Sequence, residues 1–295
     1  MIYMIQIRER VIFLINNTLS LIRAKYNNFS VVQRKVADYV LANPQEVILF
    51  SLNDLARACD VSETTIFRFL QKLDYSSYQV FRINIAQEVS GEKPIPAISE
   101  IESGDSSAEI MRKVVESTVI SVQDSLQVIK PLEVENLSKL ILSSERIVIV
   151  GVGASAAIAL DMHHKMLRLG INAAFYNDPH LINILCSHLS KRDLLLVVSH
   201  SGESREILDA VEFAADCGAK IAAITSYPRS TLSRKSDCVL ISSSQETRYR
   251  SDAMTSRIIQ LVIIDMLCVL LSMAKGDNAA ASIQKSSLAV AKNKT

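Results

Sequence analysis

The sequence lacks paired cysteines, a surplus of charge of either sign and a long uninterrupted apolar run. Its five cysteines are far apart, and none has C-x-x-C spacing. An odd number in a chain of 295 residues favours reduced thiols in a cytosol over a disulfide framework. The formal net charge of +1 excludes a polycation. It does not exclude a DNA-binding protein, because such a protein can concentrate its positive charge on one small domain.

The apolar stretches are too short or too interrupted to predict a membrane span. Near the N-terminus the uninterrupted run is only Val11–Ile15, whereas a span needs about 20 residues. We interpret this segment as an amphipathic helix, with a signal anchor as the alternative. The stretch Ile258–Leu271 contains Gln260 and Asp265 and is typical of a buried helix. We therefore expect a cytoplasmic protein without a membrane partner.

Composition divides the chain into four zones. Residues 1–90 have helical patterns, one proline and no glycine. Residues 91–106 concentrate helix breakers and predict a linker, residues 107–275 alternate apolar runs with helical patterns, and residues 276–295 form a tail or a frayed helix. The helix breakers of the linker are Gly91, Pro94, Pro96 and Gly104.

Short apolar runs in the third zone predict buried strands. Continuous runs of this kind are typical of strands covered on both faces of a parallel sheet, and the helical patterns between them indicate βαβ units. A weaker apolar element lies at Ala173–Tyr176. The fold class predicted is an α/β domain, an open parallel sheet with helices on both faces, preceded by an all-α domain. The four runs are Ile147–Val150, Leu194–Val198, Ile221–Ile224 and Cys238–Ile241.

The segment from Ser51 to Leu73 predicts two helices around a tight turn. Ser51 and Ser62 are suitable N-caps, because a serine hydroxyl can accept a hydrogen bond from an otherwise unpaired backbone N–H. Apolar residues recur at helical spacing on one face of each helix. Those of the first helix are Leu52, Leu55, Ala56 and Cys59, and those of the second are Ile66, Phe67, Leu70 and Leu73.

The second helix has the design of a recognition helix. Its N-terminal side chains are short and polar, and in a helix-turn-helix such side chains meet base edges in the major groove. An arginine can bind guanine bidentately. The alternative is an ordinary helical hairpin with a polar outer face. The candidate DNA-binding residues are Ser62, Glu63, Thr64, Thr65, Arg68 and Lys72.

Two predicted strands end in similar loops of small residues. Gly151-Val152-Gly153-Ala154-Ser155 follows the first, and Ser199-His200-Ser201-Gly202-Glu203-Ser204 follows the second. Glycine lets the backbone approach an anion, and the following helix N-terminus directs free N–H groups at it. Ligands of open α/β sheets bind beyond the carboxyl ends of the strands. These loops therefore predict a phosphate-binding site; the alternative is a pair of ordinary tight turns.

A dinucleotide site explains the sequence less well. Gly151, Gly153 and Ala156 meet the G-x-G-x-x-G/A pattern, but no acidic residue ends a second strand at the usual spacing of about 20 residues. The nearest, Asp178, follows no convincing strand. The serine-rich second loop would also have no role.

Other polar residues predict no metal or catalytic centre. The adjacent His163 and His164 point in different directions on a helix, and no set of residues has metal-ligand spacing. Glu203 is a possible proton shuttle or a residue that fixes the loop. Further candidates for ligand contact are His180, His200, Arg248, Arg250 and Arg257, with surface solvation as the alternative for the arginines.

The motifs and their order resemble the RpiR-type transcription regulators, which join a helix-turn-helix domain to a SIS (sugar isomerase) domain. The resemblance covers about Leu19 to Thr255. It is carried by the segments R34-K-V-A-D-Y-V-L-A-N-P44, L52-N-D-L-A-R-A-C-D-V-S-E-T-T-I-F-R-F-L-Q-K-L73, G151-V-G-A-S155, S199-H-S-G-E-S204, A223-I-T225 and S230-T-L-S-R-K-S-D237.

The resemblance implies that a phosphorylated sugar binds the α/β domain and that Ser62 to Arg68 face DNA. The chain departs from the family at Asp74 and Ser77, where glycines are frequent, and in its first eighteen residues or so. The serines implied to hold the phosphate are Ser155, Ser199, Ser201 and Ser204, to which the loop glycines Gly153 and Gly202 are added.

We therefore expect a ligand-gated DNA-binding regulator, not an enzyme, with an operator duplex, a sugar phosphate and a second copy of the chain as partners. A homodimer or a homotetramer is expected, and no cofactor. Two alternatives stay open. One is a sugar-phosphate isomerase with an appended helical domain, and the other is an N-terminal bundle that binds protein instead of DNA.

Overall fold

The structure is a computed structural model that describes residues 18–90, 101–242 and 254–291. The described residues form two compact units. The first unit contains those up to Val128, and the second contains those from Ile129 onward.

The described part of the first unit is helical. Its core is built around an aromatic cluster in which the Phe69 ring centroid lies 4.9 Å from that of Phe29 and 6.2 Å from that of Phe81. The elements are α1 (Thr18–Ala24), a 3-10 helix (Tyr26–Asn28), α2 (Val31–Ala42), α3 (Pro44–Leu49), α4 (Leu52–Ala58), α5 (Glu63–Lys72), α6 (Tyr78–Ser90) and α7 (Ser107–Ser125).

The helix α7 lies in the first unit, whereas the sequence interpretation began the α/β domain at residue 107. Its Asp124 carboxylate pairs with the Arg23 guanidinium of α1, and both side chains are about 5% exposed. A buried charge requires a partner, so this ion pair ties α7 to α1. The pattern of helix breakers predicted a linker at residues 91–106, of which 91–100 lie outside the described residues, but it gave no sign of this long-range contact.

The second unit is built on a five-stranded parallel sheet. The strand order is β2-β1-β3-β4-β5, and in the central pair Val150 of β1 lies opposite Val197 of β3. Its elements are α8 (Pro131–Ser143), β1 (Arg146–Val150), α9 (Ala154–Arg168), β2 (Ala173–Tyr176), α10 (Pro179–Cys186), β3 (Asp193–Val198), α11 (Arg205–Asp216), β4 (Lys220–Thr225), α12 (Thr231–Lys235), β5 (Cys238–Ile241), α13 (Met254–Lys275) and α14 (Asp277–Ala291).

Alternate residues of each central strand face opposite sides of the sheet. Leu194 and Leu196 pack with apolar residues of α8, α9, α13 and α14, and Leu195 and Val197 pack with those of α10, α11 and α12. All six residues of β3 are buried. The predicted fold class is confirmed, and the weaker apolar element is the edge strand β2.

The helix α13 is part of one of these cores. Among the residues the structure covers, it is the one helix long and apolar enough to cross a membrane by length and composition. It packs against α8 and α9, its Leu267 and Leu271 are fully buried, and its Asp265 accepts an ion pair from Lys165 of α9 at 2.6 Å. The predicted helix is therefore confirmed, but it is buried on one face only, and its Val269 is 58% exposed. Most of the predicted tail is the helix α14, whose Ala279 is buried.

Candidate DNA-binding helix and phosphate-binding loops

The helices α4 and α5 form the predicted helix-turn-helix. Ser51 caps α4 in a reciprocal capping box with Asp54. In the turn, Asp60 has a φ of +51° and the Val61 N–H donates to the Ala56 carbonyl at 3.0 Å. Ser62 caps α5 by accepting the Thr65 N–H at 3.3 Å. Both predicted N-caps are confirmed.

The buried face of α5 corrects one core prediction. Ile66, Phe69 and Leu70 are at most 1% exposed, whereas Phe67 is 47% exposed. Residues at i, i+3 and i+4 share one face of a helix, and Phe67 is one position, or about 100°, away from Ile66. Phe69 therefore occupies the core position that the sequence interpretation gave to Phe67.

Some of the predicted DNA-contacting side chains form hydrogen bonds within the protein, and others do not. Thr64 and Arg68 are exposed, and no described group pairs with either side chain. Ser62 and Thr65 are hydrogen-bonded to each other through their hydroxyls at 3.0 Å. Glu63 accepts a hydrogen bond from the side-chain amide of Asn53 at 3.0 Å. Thr64 and Arg68 are thus the side chains most available to DNA.

Lys72 does not belong to this exposed face. Its ammonium donates to the Asn28 carbonyl at 2.5 Å and to the Gln33 side chain at 2.6 Å, and it lies 5.8 Å from the centre of the Phe29 ring. Gln71 is exposed and faces outward. Lys72 is the next residue and is therefore rotated about 100° around the helix, toward Asn28 and Gln33. The structure therefore gives Lys72 a role in joining α5 to the start of α2, and its contact with DNA stays a prediction.

In the turn after α5, an aspartate adopts the left-handed backbone conformation that is usual for glycine. Asp74 has a φ of +62°, and its carboxylate accepts a hydrogen bond from Lys25 at 2.7 Å. Aspartate tolerates the left-handed region better than most residues. The aspartate at this position therefore adopts a left-handed backbone of the kind that glycine adopts without strain.

The two phosphate-binding candidates follow neighbouring strands. β1 and β3 are adjacent and parallel, so the loops at residues 151–155 and 199–204 leave the same edge of the sheet. In the first loop Gly153 has a φ of +54°, and a Cβ on Gly151 would lie 2.8 Å from the Ser155 carbonyl oxygen. Both glycines are therefore required by the fold of this loop.

Four serine hydroxyls are available at these loops to different degrees. Ser155 and Ser204 have no side-chain partner among the described residues, and both are half-buried. The Oγ of Ser199 accepts the Gly202 N–H and that of Ser201 accepts the Glu203 N–H, each at 3.2 Å. A hydroxyl that accepts keeps its own O–H as a donor. Ser199 is only 4% exposed, so its first task is to hold the loop.

The helices that begin at these loops lack side-chain caps. Gly153 precedes α9, and Ser204 precedes α11 without accepting a hydrogen bond from that helix. The first N–H groups of a helix have no partner within it, and the helix dipole makes this end attractive to anions. In six other helices a side chain accepts one of these N–H groups, that of Ser30, Ser51, Ser62, Ser106, Asp178 or Ser230. The helices α3 and α8 also lack such a cap, but each begins with a proline, which has no N–H.

The comparisons with known proteins agree with this geometry. The description "Helix-turn-helix domain, rpiR family" matches residues 16–92 and "SIS domain" matches residues 140–270. An HTH-type transcriptional regulator of Thermotoga maritima is 36% identical over 275 residues, which cover 92% of this chain and 98% of that protein. The chain belongs to the RpiR family.

Two further proteins match most of this RpiR-family chain. HexR of Pseudomonas aeruginosa, an HTH-type transcriptional regulator, is 29% identical over 88% of this chain and 90% of its own length. The structure of the Vibrio vulnificus NanR protein complexed with ManNAc-6P matches with a TM-score of 0.59 and 28% identity, and covers 94% of this chain and 98% of that one.

The second loop of this RpiR-family chain is braced by α12. The Glu203 carboxylate accepts the Thr231 N–H at 2.7 Å, and the Leu232 N–H donates to the Gly202 carbonyl at 3.1 Å. The Thr231 backbone, then its side chain and the Arg234 charge, lower the pKa of Glu203. Glu203 is thus an ionised cap that fixes the loop.

His200 connects the second loop to a buried polar chain. Its Nδ1 lies 2.9 Å from the Oγ of Ser226, which lies 3.0 Å from the Oγ of Ser242. Gln260 of α13 donates to that hydroxyl at 3.2 Å. Ser226, Ser242 and Gln260 are fully buried. The sequence interpretation missed this chain, because its four members lie on different elements.

The remaining candidates of the sequence interpretation have different surroundings. His163 is bonded to the Ala173 carbonyl at 3.1 Å. Asp178, the acidic residue of the dinucleotide alternative, does follow a strand, β2, contrary to the sequence interpretation, but its carboxylate caps α10. His180 is exposed on α10, and Arg257 is half-buried on α13. Arg248 and Arg250 lie outside the described residues. Within residues 18–90, 101–242 and 254–291, no group of histidines, cysteines and carboxylates has the arrangement of a metal site.

Proposed function

We propose that this protein is a sequence-specific DNA-binding transcription regulator whose activity is modulated by a phosphorylated sugar. The observation that carries the proposal is the pair of uncapped helix N-termini, of α9 and α11, which follow adjacent strands and have free serine hydroxyls beside them. A cap residue such as Ser204 normally satisfies its own helix. A hydroxyl left unused at that position is suited to a ligand.

The ligand class follows from these donors. Backbone N–H groups at a helix N-terminus and hydroxyl donors suit an anion with several acceptor oxygens. A phosphoryl group carries about −1.5 to −2 charge at pH 7 and three such oxygens. We assign the phosphate to Gly153, Ser155, Ser201, Gly202 and Ser204, with Ser199 supporting the loop. The relative in complex with ManNAc-6P supports a sugar phosphate as the ligand.

The DNA contact is assigned to the exposed N-terminal half of α5. Ser62 to Thr65 and Arg68 lie there, where a helix-turn-helix meets base edges. Ligand binding would alter the spacing of recognition helices in a homodimer or homotetramer, and the coupling must be reciprocal, so DNA changes sugar-phosphate affinity by the same factor. The protein would act in the cytoplasm.

We propose regulation and not catalysis as the role of the α/β unit. Isomerisation of a sugar phosphate needs a general base within reach of the substrate. Glu203 is the carboxylate of the second loop, but its Oε1 already accepts the Thr231 N–H, and its lowered pKa makes it a weaker proton acceptor than a free glutamate. An isomerase assay on the sugar phosphates that bind would detect turnover if this assignment of Glu203 were wrong.

The ligand half of the proposal is tested by thermal unfolding. The purified protein is heated with each of a panel of phosphorylated sugars that includes ManNAc-6P, and with the unphosphorylated sugars as controls. A ligand that binds only the folded state stabilises by about 2.7 kcal/mol at a hundred times its Kd. We expect one phosphorylated sugar to raise the Tm, and Ser155→Ala and Ser204→Ala to remove the rise. Ser143→Ala, at the exposed end of α8, is the matched control.

The DNA half is tested by selection from a random duplex pool. The full chain should enrich one sequence, and Arg68→Ala and Thr64→Ala should weaken its binding. Affinity should fall as salt rises, because phosphate contacts release counterions. A protein that enriches no sequence would contradict the regulator assignment and favour the protein-binding bundle.

A further inference from the structure

Phe67 is an apolar side chain on the face of α5 that carries free polar groups. It is 47% exposed, it makes no ring contact within the described structure, and it is outside the set of apolar residues that pack on the core of the first unit. Residues three and four apart share a helix face. Phe67 therefore lies beside Thr64 and Gln71, with Arg68 at their edge.

The fold does not require an aromatic residue at this position. Phe69 supplies the ring that the core needs, packed between Phe29 and Phe81, and it is fully buried. Phe67 leaves a large apolar surface in water, which is unfavourable in proportion to its area. A contact that covers this ring in the working state of the protein would recover that free energy.

We propose that Phe67 is a base-reading residue that packs against the 5-methyl group of a thymine in the major groove. The inference rests on the proposed DNA-binding function. A phenylalanine has no hydrogen-bonding group, and the thymine methyl is the apolar group that base edges present in this groove. Thr64 and Arg68 beside it can form hydrogen bonds with neighbouring base edges or phosphates.

The position of Phe67 in the fold favours DNA over a protein partner. Arg68 is exposed and has no partner among the residues described, and Thr64 has a free hydroxyl. Phenylalanine and arginine are both common at protein interfaces, but this pair lies on the second helix of a helix-turn-helix, beside the short polar Thr64, where such a motif meets base edges. An apolar contact flanked by such donors suits a base pair.

The experiment begins with the duplex that the wild-type chain selects from the random pool. Each thymine of the selected site is replaced in turn by deoxyuridine, which lacks only the 5-methyl group. At one position we expect wild-type affinity to fall about fivefold, the size expected for losing one methyl contact. Phe67→Ala should bind the thymine and deoxyuridine duplexes equally at that position, and Phe67→Leu should keep part of the difference.

Two controls separate this contact from loss of fold. Leu49→Ala removes an apolar side chain of α3 that is 82% exposed and should leave the deoxyuridine effect unchanged. The Tm of Phe67→Ala should equal that of the wild type, because the ring makes no core contact.

Four results would overturn the proposal. If no thymine is sensitive to loss of its methyl group, or if Phe67→Ala keeps the same sensitivity, then Phe67 does not contact a thymine methyl although the protein binds DNA. If Phe67→Ala changes the sedimentation of the free protein, the ring is covered by a second copy of the chain. If the wild type selects no sequence, the proposed DNA-binding function itself is wrong.

Discussion

Gly202 and Ser230 are in direct contact: a Cβ added at Gly202 would lie 2.6 Å from the Cβ of Ser230. Ser230 is 3% exposed, and its Oγ caps α12 by accepting the Ser233 N–H at 3.2 Å. It therefore cannot move aside. The second phosphate-binding loop and the start of α12 are fitted to each other through this glycine.

Replacement of Gly202 should damage the loop and its ligand site together. Gly202→Ala adds a Cβ at a φ of +64°, which costs about 1–2 kcal/mol, and it adds the overlap with Ser230. We expect a total loss of about 2–4 kcal/mol in unfolding free energy and no stabilisation by the sugar phosphate. Urea unfolding with and without ligand measures both. Gly104→Ala, where a Cβ meets nothing within 4 Å, is the control; equal behaviour of the two variants would refute the fit.

Acidification should release the Glu203 brace. The pKa of Glu203 is lowered in the folded protein by the Thr231 N–H, so its ionised form stabilises above the unfolded pKa of about 4.3. This contribution is lost as pH falls through the lower folded value. The Tm difference between wild type and Glu203→Gln should be largest at neutral pH and shrink below about pH 4. A difference that grows on acidification would contradict the assigned role.

The turn at Asp74 should accept glycine better than alanine. Asp74 has a φ of +62°, which glycine adopts without strain, and its ion pair with Lys25 leaves the carboxylate 83% exposed, so the pair is worth about 0–1 kcal/mol. We expect Asp74→Gly to be within about 1 kcal/mol of the wild type and Asp74→Ala to be less stable than Asp74→Gly by about 1 kcal/mol. Chemical denaturation of the wild type and the two variants measures this order. Equal stability of Asp74→Ala and Asp74→Gly would contradict the prediction.

Thiol reactivity should single out one cysteine. Burial raises the pKa of Cys59 and Cys268 to about 11 and that of Cys186 and Cys238 to about 12. The thiolate is the reactive form, so these four should be inert toward a thiol reagent at pH 8 in the folded protein. Cys217 is half-exposed and should react first, and Cys217→Ser should remove the fast phase. A fast phase that persists in that variant would show that another thiol is exposed.

The sequence predicted the sheet well because buried parallel strands are continuous apolar runs. Leu194–Val198 is such a run, and all of β3 is buried. The N-caps at Ser51 and Ser62 were also predictable, since capping depends on residues only three positions apart. The assignment of ligand and DNA contacts to particular side chains stays a prediction that the experiments above test.

Long-range partners explain what the sequence could not show. Phe67 and Phe69 are chemically identical, and the choice between them depends on Phe29 and Phe81, which are distant in sequence. Lys72 has the positive charge of a DNA-binding residue, but in the structure its ammonium donates to the carbonyl of Asn28, which is 44 positions away in the sequence. Periodicity within one helix carries no information about such contacts.

The ion pair of Arg23 with Asp124 sets a lower limit on the length of an independent DNA-binding fragment. The family description of that domain ends at residue 92, but a fragment cut there would lose the counter-ion of Arg23 and would expose the face of α1 on which α7 packs. Both losses would destabilise the fragment. A fragment that ends after residue 128 retains α7 and should fold cooperatively. A module that is expressed alone, or exchanged between proteins in evolution, should therefore extend beyond α7 to about residue 128.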